Sequence, residues 1–324
     1  MTRLERKIIT SIPIAFILNK SKHWYLPGFE GVPMYDVVRF FYRQVKTVGL
    51  TERASAIAYN FIMAIPPSFL FLFTLIPNLP FIKKREIFKQ LSLIIKDIIP
   101  AEGYNRTIIT FIDKTFFQTP VFGLLSFGLL LALFFASNAM MGLMRSFNKN
   151  YHGFERRVGL HTRWVAIRLT VLIFGLVLGC LVILITQGAV LKFFGLRSAF
   201  WLALILYLRW LVIIALIFYS IAFIYKYAPA VQKKWKLVSP GTILATFLCI
   251  AASLGFSSFV NSFGRYNALY GSIGTIIVLM ALVFINSLVL LIGFELNVSI
   301  KTLKARAEQR DAKEKLQLAA QKNT

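Results

Sequence analysis

Six long apolar stretches alternate with polar segments along this chain. Each is close to the 20 or so residues that a helix needs to cross a hydrocarbon core of about 30 Å. The fourth is the shortest, and the apolar residues 199–208 just before it leave its start open. The pattern predicts an all-α polytopic membrane protein, a six-transmembrane-helix bundle. Its spans are expected at residues 54–77, 121–144, 164–187, 209–225, 238–259 and 272–300.

Shorter amphipathic segments lie outside these spans. Residues 85–100 and 105–117 repeat apolar positions at helical spacing, which suits helices lying at the membrane surface or packed on the bundle. Residues 1–53 form an amphipathic, interfacial N-terminal segment, and their apolar run 8–18 is expected to be retained on the inner leaflet. The span domain therefore covers residues 54–300, and 301–324 form a polar cytoplasmic tail.

The net charge of +24 invites a nucleic-acid interpretation, but its distribution argues against one. If both termini are cytoplasmic, the inner segments carry 26 of the 37 lysines and arginines and the outer segments 11. That asymmetry is what the positive-inside rule predicts for a membrane protein with both termini in the cytoplasm. The basic inner loops are expected to attract anionic lipid headgroups, and no nucleic-acid partner is predicted.

The chemistry of soluble enzymes finds little support. Cys180 and Cys249 both fall inside predicted spans, so no disulfide framework is expected. The histidines and the glutamate of "YHGFERRVGLH" match no standard metal-ligand spacing. We therefore predict no catalytic residues, no metal and no cofactor.

The first span contains two adjacent prolines, Pro66 and Pro67, shortly after Asn60. Each proline removes a backbone donor, so the helix should kink or break, and the freed carbonyls need partners other than lipid. A discontinuous helix lining a substrate path is one interpretation. A structural kink is the other.

Polar residues also mark the later spans. In the fifth span, Thr242, Thr246, Cys249, Ser253 and Ser257 share one helical stripe, which should face the bundle or a cavity. Bonding to their own helix carbonyls is the alternative. All candidate path or polar-core residues are Asn60, Pro66, Pro67, Asn138, Thr242, Thr246, Ser253, Ser257, Asn286, Glu295 and Asn297.

Glu295 needs an explanation because a charge near the bilayer centre costs about 2.5–3.5 kcal/mol on insertion scales. It lies six residues before Lys301, about 9 Å by helical rise, and so near the inner headgroup boundary. We expect a structural ion pair with Arg53 or Arg145, or else a carboxylate that couples proton or substrate movement. Arg209 and Trp210 are expected to be anchors at the outer interface.

Helix packing is expected to use small residues. Gly175 and Gly179 form a GxxxG pair in the third span, and Ala251 and Gly255 form a small-xxx-small pair in the fifth.

Four segments together resemble the YihY/BrkB family of ribonuclease BN-like membrane proteins. They are "ERASAIAYNFIMAIPPSFLFLFTLIP", "FFASNAMMGLMRSFNKNYH", "YKYAPAVQKKWKLVSPGTILA" and "YNALYGSIGTIIVLMALVFINSLVLLIGFELNVSI". Phe294 stands where alanine is more usual in the family, and the double proline replaces a single one. The resemblance covers Glu52 to about Ile300 and implies a bacterial inner-membrane protein with six spans and both termini inside.

Three functions remain open on this basis. The first is a transporter-like or lipid-handling protein that moves a small molecule or lipid between the first, fifth and sixth spans. The second is a structural or assembly partner in the cell envelope, with a homo-oligomer possible. The least favoured is the membrane-bound ribonuclease of the family's older label, because the three histidines are scattered.

Overall fold

The computed structural model describes residues 24–75, 121–148, 159–193, 199–231, 234–262 and 264–322, together with positions 22, 92, 109–110 and 113–114. The segments 8–18, 85–100 and 105–117 fall almost entirely outside the described residues, so their predicted amphipathic helices stay predictions.

Seven helices account for nearly all of the described chain. They are α1 (Met34–Thr47), α2 (Leu50–Leu75), α3 (Val121–Phe147), α4 (Leu160–Phe193), α5 (Ala199–Tyr227), α6 (Pro240–Ser262) and α7 (Gly264–Lys322). Five of them, α2, α3, α4, α5 and α7, are long and apolar enough to cross a membrane. The described apolar part of α6, Pro240–Phe256, is shorter. The chain is therefore an all-α polytopic membrane protein, and five of its six predicted spans have the length and composition of a membrane-crossing helix.

Helix α7 joins the last predicted span and the polar tail into one element. Its 59 residues would extend over about 88 Å at 1.5 Å per residue. The tail is thus a continuation of the span, with Leu316 and Leu318 exposed on it. The helix thus continues without a break from an apolar part that suits lipid to a polar part that suits water.

Many of the described buried side chains lie at the end of the bundle where α2, α4 and α6 begin and α3 and α5 end. We call this the basal end. Here the rings of Phe147 and Phe294 stack face to face with centroids 4.0 Å apart, and Trp235 stacks on Phe294 at 5.4 Å. Tyr225 meets both phenylalanines edge-on and donates a 2.6 Å hydrogen bond to the carbonyl of Leu290. This aromatic layer joins α3, α5 and α7 with the segment before α6.

A close helix contact is made by glycines outside the predicted small-residue pairs. A Cβ on Gly241 would lie 2.1 Å from the carbonyl oxygen of Gly293, so α6 and α7 touch backbone to backbone. By contrast, a Cβ on Gly175, Gly179 or Gly255 would meet nothing within 4 Å among the described atoms. The predicted small-residue contacts are therefore wrong for the described part of the bundle. Spacing within one helix cannot show which face meets a partner.

The segment before α1 is attached to α7 by an acidic residue. Glu30 accepts a hydrogen bond from Lys301 at 2.5 Å and pairs with Lys304 at 3.2 Å. Glu30 has φ 52° and lies between Gly28 and Gly31, whose φ angles of 92° and 82° favour glycine. The turn thus directs the carboxylate towards the two lysines.

We predict that this attachment weakens at acidic pH. Partial burial raises the pKa of Glu30, but the hydrogen bonds and charges of Lys301 and Lys304 lower it more, so the pKa lies below its ordinary 4.5. Because the pKa of Glu30 is lower in the folded protein than in the unfolded chain, its pairing stabilises the attachment at pH values above the pKa of the unfolded chain. That stabilisation is lost as the pH falls through the pKa of the folded protein. Hydrogen exchange at the amides of Val32 and Met34, which bond within this segment, should accelerate over that range beyond its intrinsic pH dependence.

Glu30→Gln is the matched test of this acid response. It should speed exchange already at neutral pH and remove the further acceleration on acidification. Glu314→Gln, on the exposed part of α7, should leave both unchanged. An acid response that persists in Glu30→Gln would assign the effect to another group.

Candidate functional site

A buried ion pair links the first and last spans at the basal end. Nη1 of Arg53 donates to Oε1 of Glu295 at 2.6 Å, and the side chains are 4% and 0% exposed. Nη2 of Arg53 donates to the backbone carbonyl of Ser146 at 2.5 Å, which adds α3 to the contact. Of the two arginines proposed as partners, Arg53 forms the pair. Arg145, one residue before Ser146 on α3, is exposed.

Asn297 of α7 caps the start of α6 with its side-chain amide. Its Oδ1 accepts from the amide of Gly241 at 2.9 Å, and its Nδ2 donates to Oγ of Ser239 at 2.9 Å. The amide of Gly241 is one of the first donors of α6, which have no partner inside their own helix. Asn297 is only 4% exposed, so this polar residue has a structural role as a cap supplied by a neighbouring helix.

The polar stripe of α6 changes surroundings along its length. Thr242 is fully buried against Ser239, and the hydroxyl of Thr246 donates to the carbonyl of Thr242 at 2.8 Å. Ser253 is exposed, whereas the side chain of Ser257 lies outside the described residues. The part of the stripe near the basal end therefore packs in the core and bonds within its own helix or to its cap. That is the second of the two interpretations.

The three other candidate asparagines, Asn60, Asn138 and Asn286, each bond to a different partner. Asn60 donates to the carbonyl of Ala56 at 2.7 Å, and Asn286 donates to that of Leu282 at 3.0 Å. Asn138 accepts a hydrogen bond from Arg163 of α4. The amide nitrogens of Asn60 and Asn286 thus bond to their own helices, and only Asn138 bonds to a neighbouring helix.

Helix α2 runs continuously through Pro66 and Pro67. The predicted break is therefore wrong. Two prolines remove two bonds of the helical ladder, but the turns on either side keep their helical geometry. Pro66 is exposed, and neither proline lines the cavity described next, so the proposed discontinuous helix on a substrate path is wrong as well.

A large apolar cavity lies among the membrane-spanning helices. Its volume is about 550 Å³, within the range of small-molecule sites. Helices α2, α3, α4 and α5 provide most of the lining, and α6 and α7 contribute only Cys249 and Leu290. Representative lining residues are Phe61, Ala64, Ile65, Ala139, Ile173 and Ile217.

The cavity presents little polar chemistry. Its lining holds no charged side chain among the described residues. The hydroxyl of Ser68 donates to the carbonyl of Ala64 at 2.7 Å, and that of Thr170 donates to Ala166 at 2.8 Å. Of the three hydroxyls in the lining, which include Ser220, these two are therefore turned to their own helices. The cavity can accept an apolar ligand without leaving these groups unsatisfied.

The polar positions of the sequence do not indicate this cavity. Its lining residues are the same types that face lipid or core elsewhere, so composition carries no signal for it. The predicted path between the first, fifth and sixth spans does not coincide with the described cavity. Where α6 and α7 cross, Gly241 and Gly293 are in contact, and the described cavity lies mainly between the first four spans.

The predicted interface anchors are placed well inside α5, which begins at Ala199. Trp210 is 60% exposed and lies about 26 Å from Tyr227 by helical rise, close to the thickness of a hydrocarbon core. The side chain of Arg209 lies outside the described residues. Trp210 thus occupies a depth that suits an interfacial anchor, and the anchor role itself stays a prediction.

Comparison with known proteins identifies related membrane proteins. The putative ribonuclease-like protein YfkH of Bacillus subtilis is 29% identical over 256 residues, 78% of this chain and 90% of that protein. A UPF0761 membrane protein of Tolumonas auensis is 26% identical over 286 residues, 82% of this chain and 88% of its own length. No solved structure matches. The model of the family described as virulence factor BrkB matches residues 41–318, so the chain belongs to the BrkB family of membrane proteins.

Proposed function

We propose that this protein handles membrane lipid, holding acyl chain in the apolar cavity between α2, α3, α4 and α5 and moving it as a transporter does. The observation that carries the proposal is the cavity itself, about 550 Å³ of apolar space that lies between membrane-spanning helices and opens to their outside. Acyl chain and cavity wall are both apolar, so exchange from the bilayer costs little free energy. A path of this kind needs no catalytic residue or cofactor.

A lipid fits the cavity better than a hydrated solute does. An ion or sugar entering it would lose its hydration shell, and the unreplaced hydrogen bonds would cost several kcal/mol in a medium without polar partners. The two hydroxyls that are bonded back to their helices, Ser68 and Thr170, do not offset that cost. The lining thus favours an apolar substrate over an ion or a sugar.

The basal end supports a path that is closed on one side. The Arg53–Glu295 pair and the Phe147–Phe294 stack fill the bundle there. On the charge asymmetry of the chain, we infer that this end faces the cytoplasm of a bacterial plasma membrane, with both termini inside. Lipid would then enter the cavity from the side or from the opposite end.

A cavity-filling substitution tests this proposal. Ile217 lines the cavity, whereas Ile214 lies one turn away on the same helix and is 45% exposed. Ile217→Trp should reduce the movement of fluorescent phospholipid in reconstituted vesicles by about tenfold or more, because the indole occupies the volume that acyl chain needs. Ile214→Trp should retain the wild-type rate.

Equal rates in the two variants, or no lipid movement by the wild-type protein above protein-free vesicles, would contradict the proposal. The second outcome would favour a structural or assembly role in the envelope. That alternative is supported by α7, which continues beyond Ile300 with exposed leucines available to a partner. The ribonuclease-like name belongs to the Bacillus relative, and the geometry described above does not add support for a ribonuclease activity.

A further inference from the structure

A second, polar opening lies at the basal end, between the start of α2 and the end of α3. We call it the basal crevice. It measures about 290 Å³. Its floor depends on Gly142, where a Cβ would lie 2.8 Å from Nδ2 of Asn60 and displace that side chain. The lining residues are Glu52, Arg53, Ala56, Asn60, Gly142, Arg145 and Ser146.

Two opposite charges face this crevice without partners in the described part of the chain. The third charged residue, Arg53, is already neutralised by Glu295. Arg145 and Glu52 are both exposed, and neither forms an ion pair or a side-chain hydrogen bond with another described residue. The crevice therefore offers one guanidinium and one carboxylate to a ligand, with the amide of Asn60 between the two helices.

We propose that the basal crevice binds a zwitterionic phospholipid headgroup of the phosphoethanolamine type. The fork of Arg145 would bind the phosphate through two parallel hydrogen bonds, and Glu52 would bind the ammonium group. Each residue lies two positions from the end of its helix, which is the depth of the headgroup layer. A purely anionic headgroup fits less well, because Glu52 would repel it.

The surface beside the crevice suits the rest of such a lipid. Tyr59 and Met63 follow Ala56 on α2, the first after three residues and the second after four more, so all three share one face. Tyr59 is 61% and Met63 46% exposed, which leaves apolar surface for the acyl chains next to the headgroup. The crevice volume is below that of sites for whole drug-sized ligands and is suitable for the headgroup alone.

This site is separate from the apolar cavity. The crevice and the cavity share no lining residue, and the crevice lies nearer the start of α2 than the cavity does. The inference therefore goes beyond the proposed lipid movement. A variant of the crevice can lose headgroup binding while the cavity still carries lipid, and the reverse also holds.

Lipid binding to the full-length protein in detergent, measured by native mass spectrometry, tests the site. The wild-type protein should bind phosphatidylethanolamine more tightly than phosphatidylglycerol. Arg145→Gln should weaken binding of both by about tenfold, and Arg145→Lys should restore part of it, since lysine keeps the charge without the fork. Glu52→Gln should reverse the preference in favour of phosphatidylglycerol, because it removes the ammonium partner and the repulsion together.

Matched controls lie on the exposed part of α7. Arg310→Gln and Glu314→Gln remove the same charges far from the crevice and should change neither affinity nor preference. Free phosphoethanolamine and inorganic phosphate distinguish a soluble ligand from a lipid, and both should compete only weakly. Unchanged preference in Glu52→Gln, unchanged affinity in Arg145→Gln, or strong competition by the soluble phosphates would overturn the proposal.

Discussion

Replacing Arg53 with methionine should destabilise the folded protein by about 3–5 kcal/mol, the cost measured when one partner of a buried ion pair is removed. Glu295 is fully buried and would keep its carboxylate among apolar side chains with its main partner gone. The carbonyl of Ser146 would also lose the donor that it receives from Arg53. Reversible unfolding of the purified protein in mixed micelles measures the loss.

The double variant Arg53→Met with Glu295→Leu is the decisive comparison. It removes both charges, so it should recover most of the lost stability, because well-packed apolar residues can replace a buried pair. Glu308→Gln breaks the exposed Lys304–Glu308 pair, whose atoms are 3.8 Å apart, and should cost no more than about 0.5 kcal/mol. A double variant less stable than Arg53→Met would show that the pair itself, and not the unpaired carboxylate, sets the stability.

Gly241→Ala should have the second large effect. The added Cβ would lie 2.1 Å from the carbonyl oxygen of Gly293 and 2.6 Å from Oδ1 of Asn297. Helices α6 and α7 must then separate or the cap on α6 must break, because a backbone atom cannot rotate away as a side chain can. Overpacking costs about 1–3 kcal/mol, and we expect a value at the upper end of that range.

Gly175→Ala is the matched control for this substitution. A Cβ at Gly175 meets nothing within 4 Å among the described atoms, and alanine is favoured over glycine in a helix by up to about 1 kcal/mol. The same chemical change should therefore lower thermal stability at Gly241 and leave it unchanged or raise it at Gly175. Equal shifts of the melting temperature at the two positions would contradict the close α6–α7 contact.

The spans and the depth of Glu295 could be predicted from the sequence, because both follow from length along a helix axis. Hydrophobic length determines which segments cross a bilayer. The six-residue separation from Lys301 places Glu295 near the headgroup layer, at a depth that residues beside the start of the first span share. Arg53 and Arg145 are equally suitable on depth. Only the packing of α2, α3 and α7 separates the buried arginine from the exposed one.

The cap and the cavity could not be predicted in the same way. Asn297 resembles a path residue in the sequence because an amide in a membrane helix is unexpected, and its partner Gly241 is 56 positions away. The cavity depends on how four apolar helices fail to fill the space between them, and residue type does not report a gap. The two prolines predicted a break for a related reason. The loss of a backbone N–H donor at one residue does not determine whether the helix continues.

Photo-crosslinking with a phospholipid that carries a diazirine on its acyl chain tests the lipid-handling account most directly. After irradiation of the protein in vesicles, mass spectrometry locates the labelled residues. We expect label on cavity residues such as Ile65 and Ile217, and loss of label at Ile65 in the Ile217→Trp variant. Label confined to exposed side chains such as Trp210 and Phe127, with none in the cavity, would contradict the account.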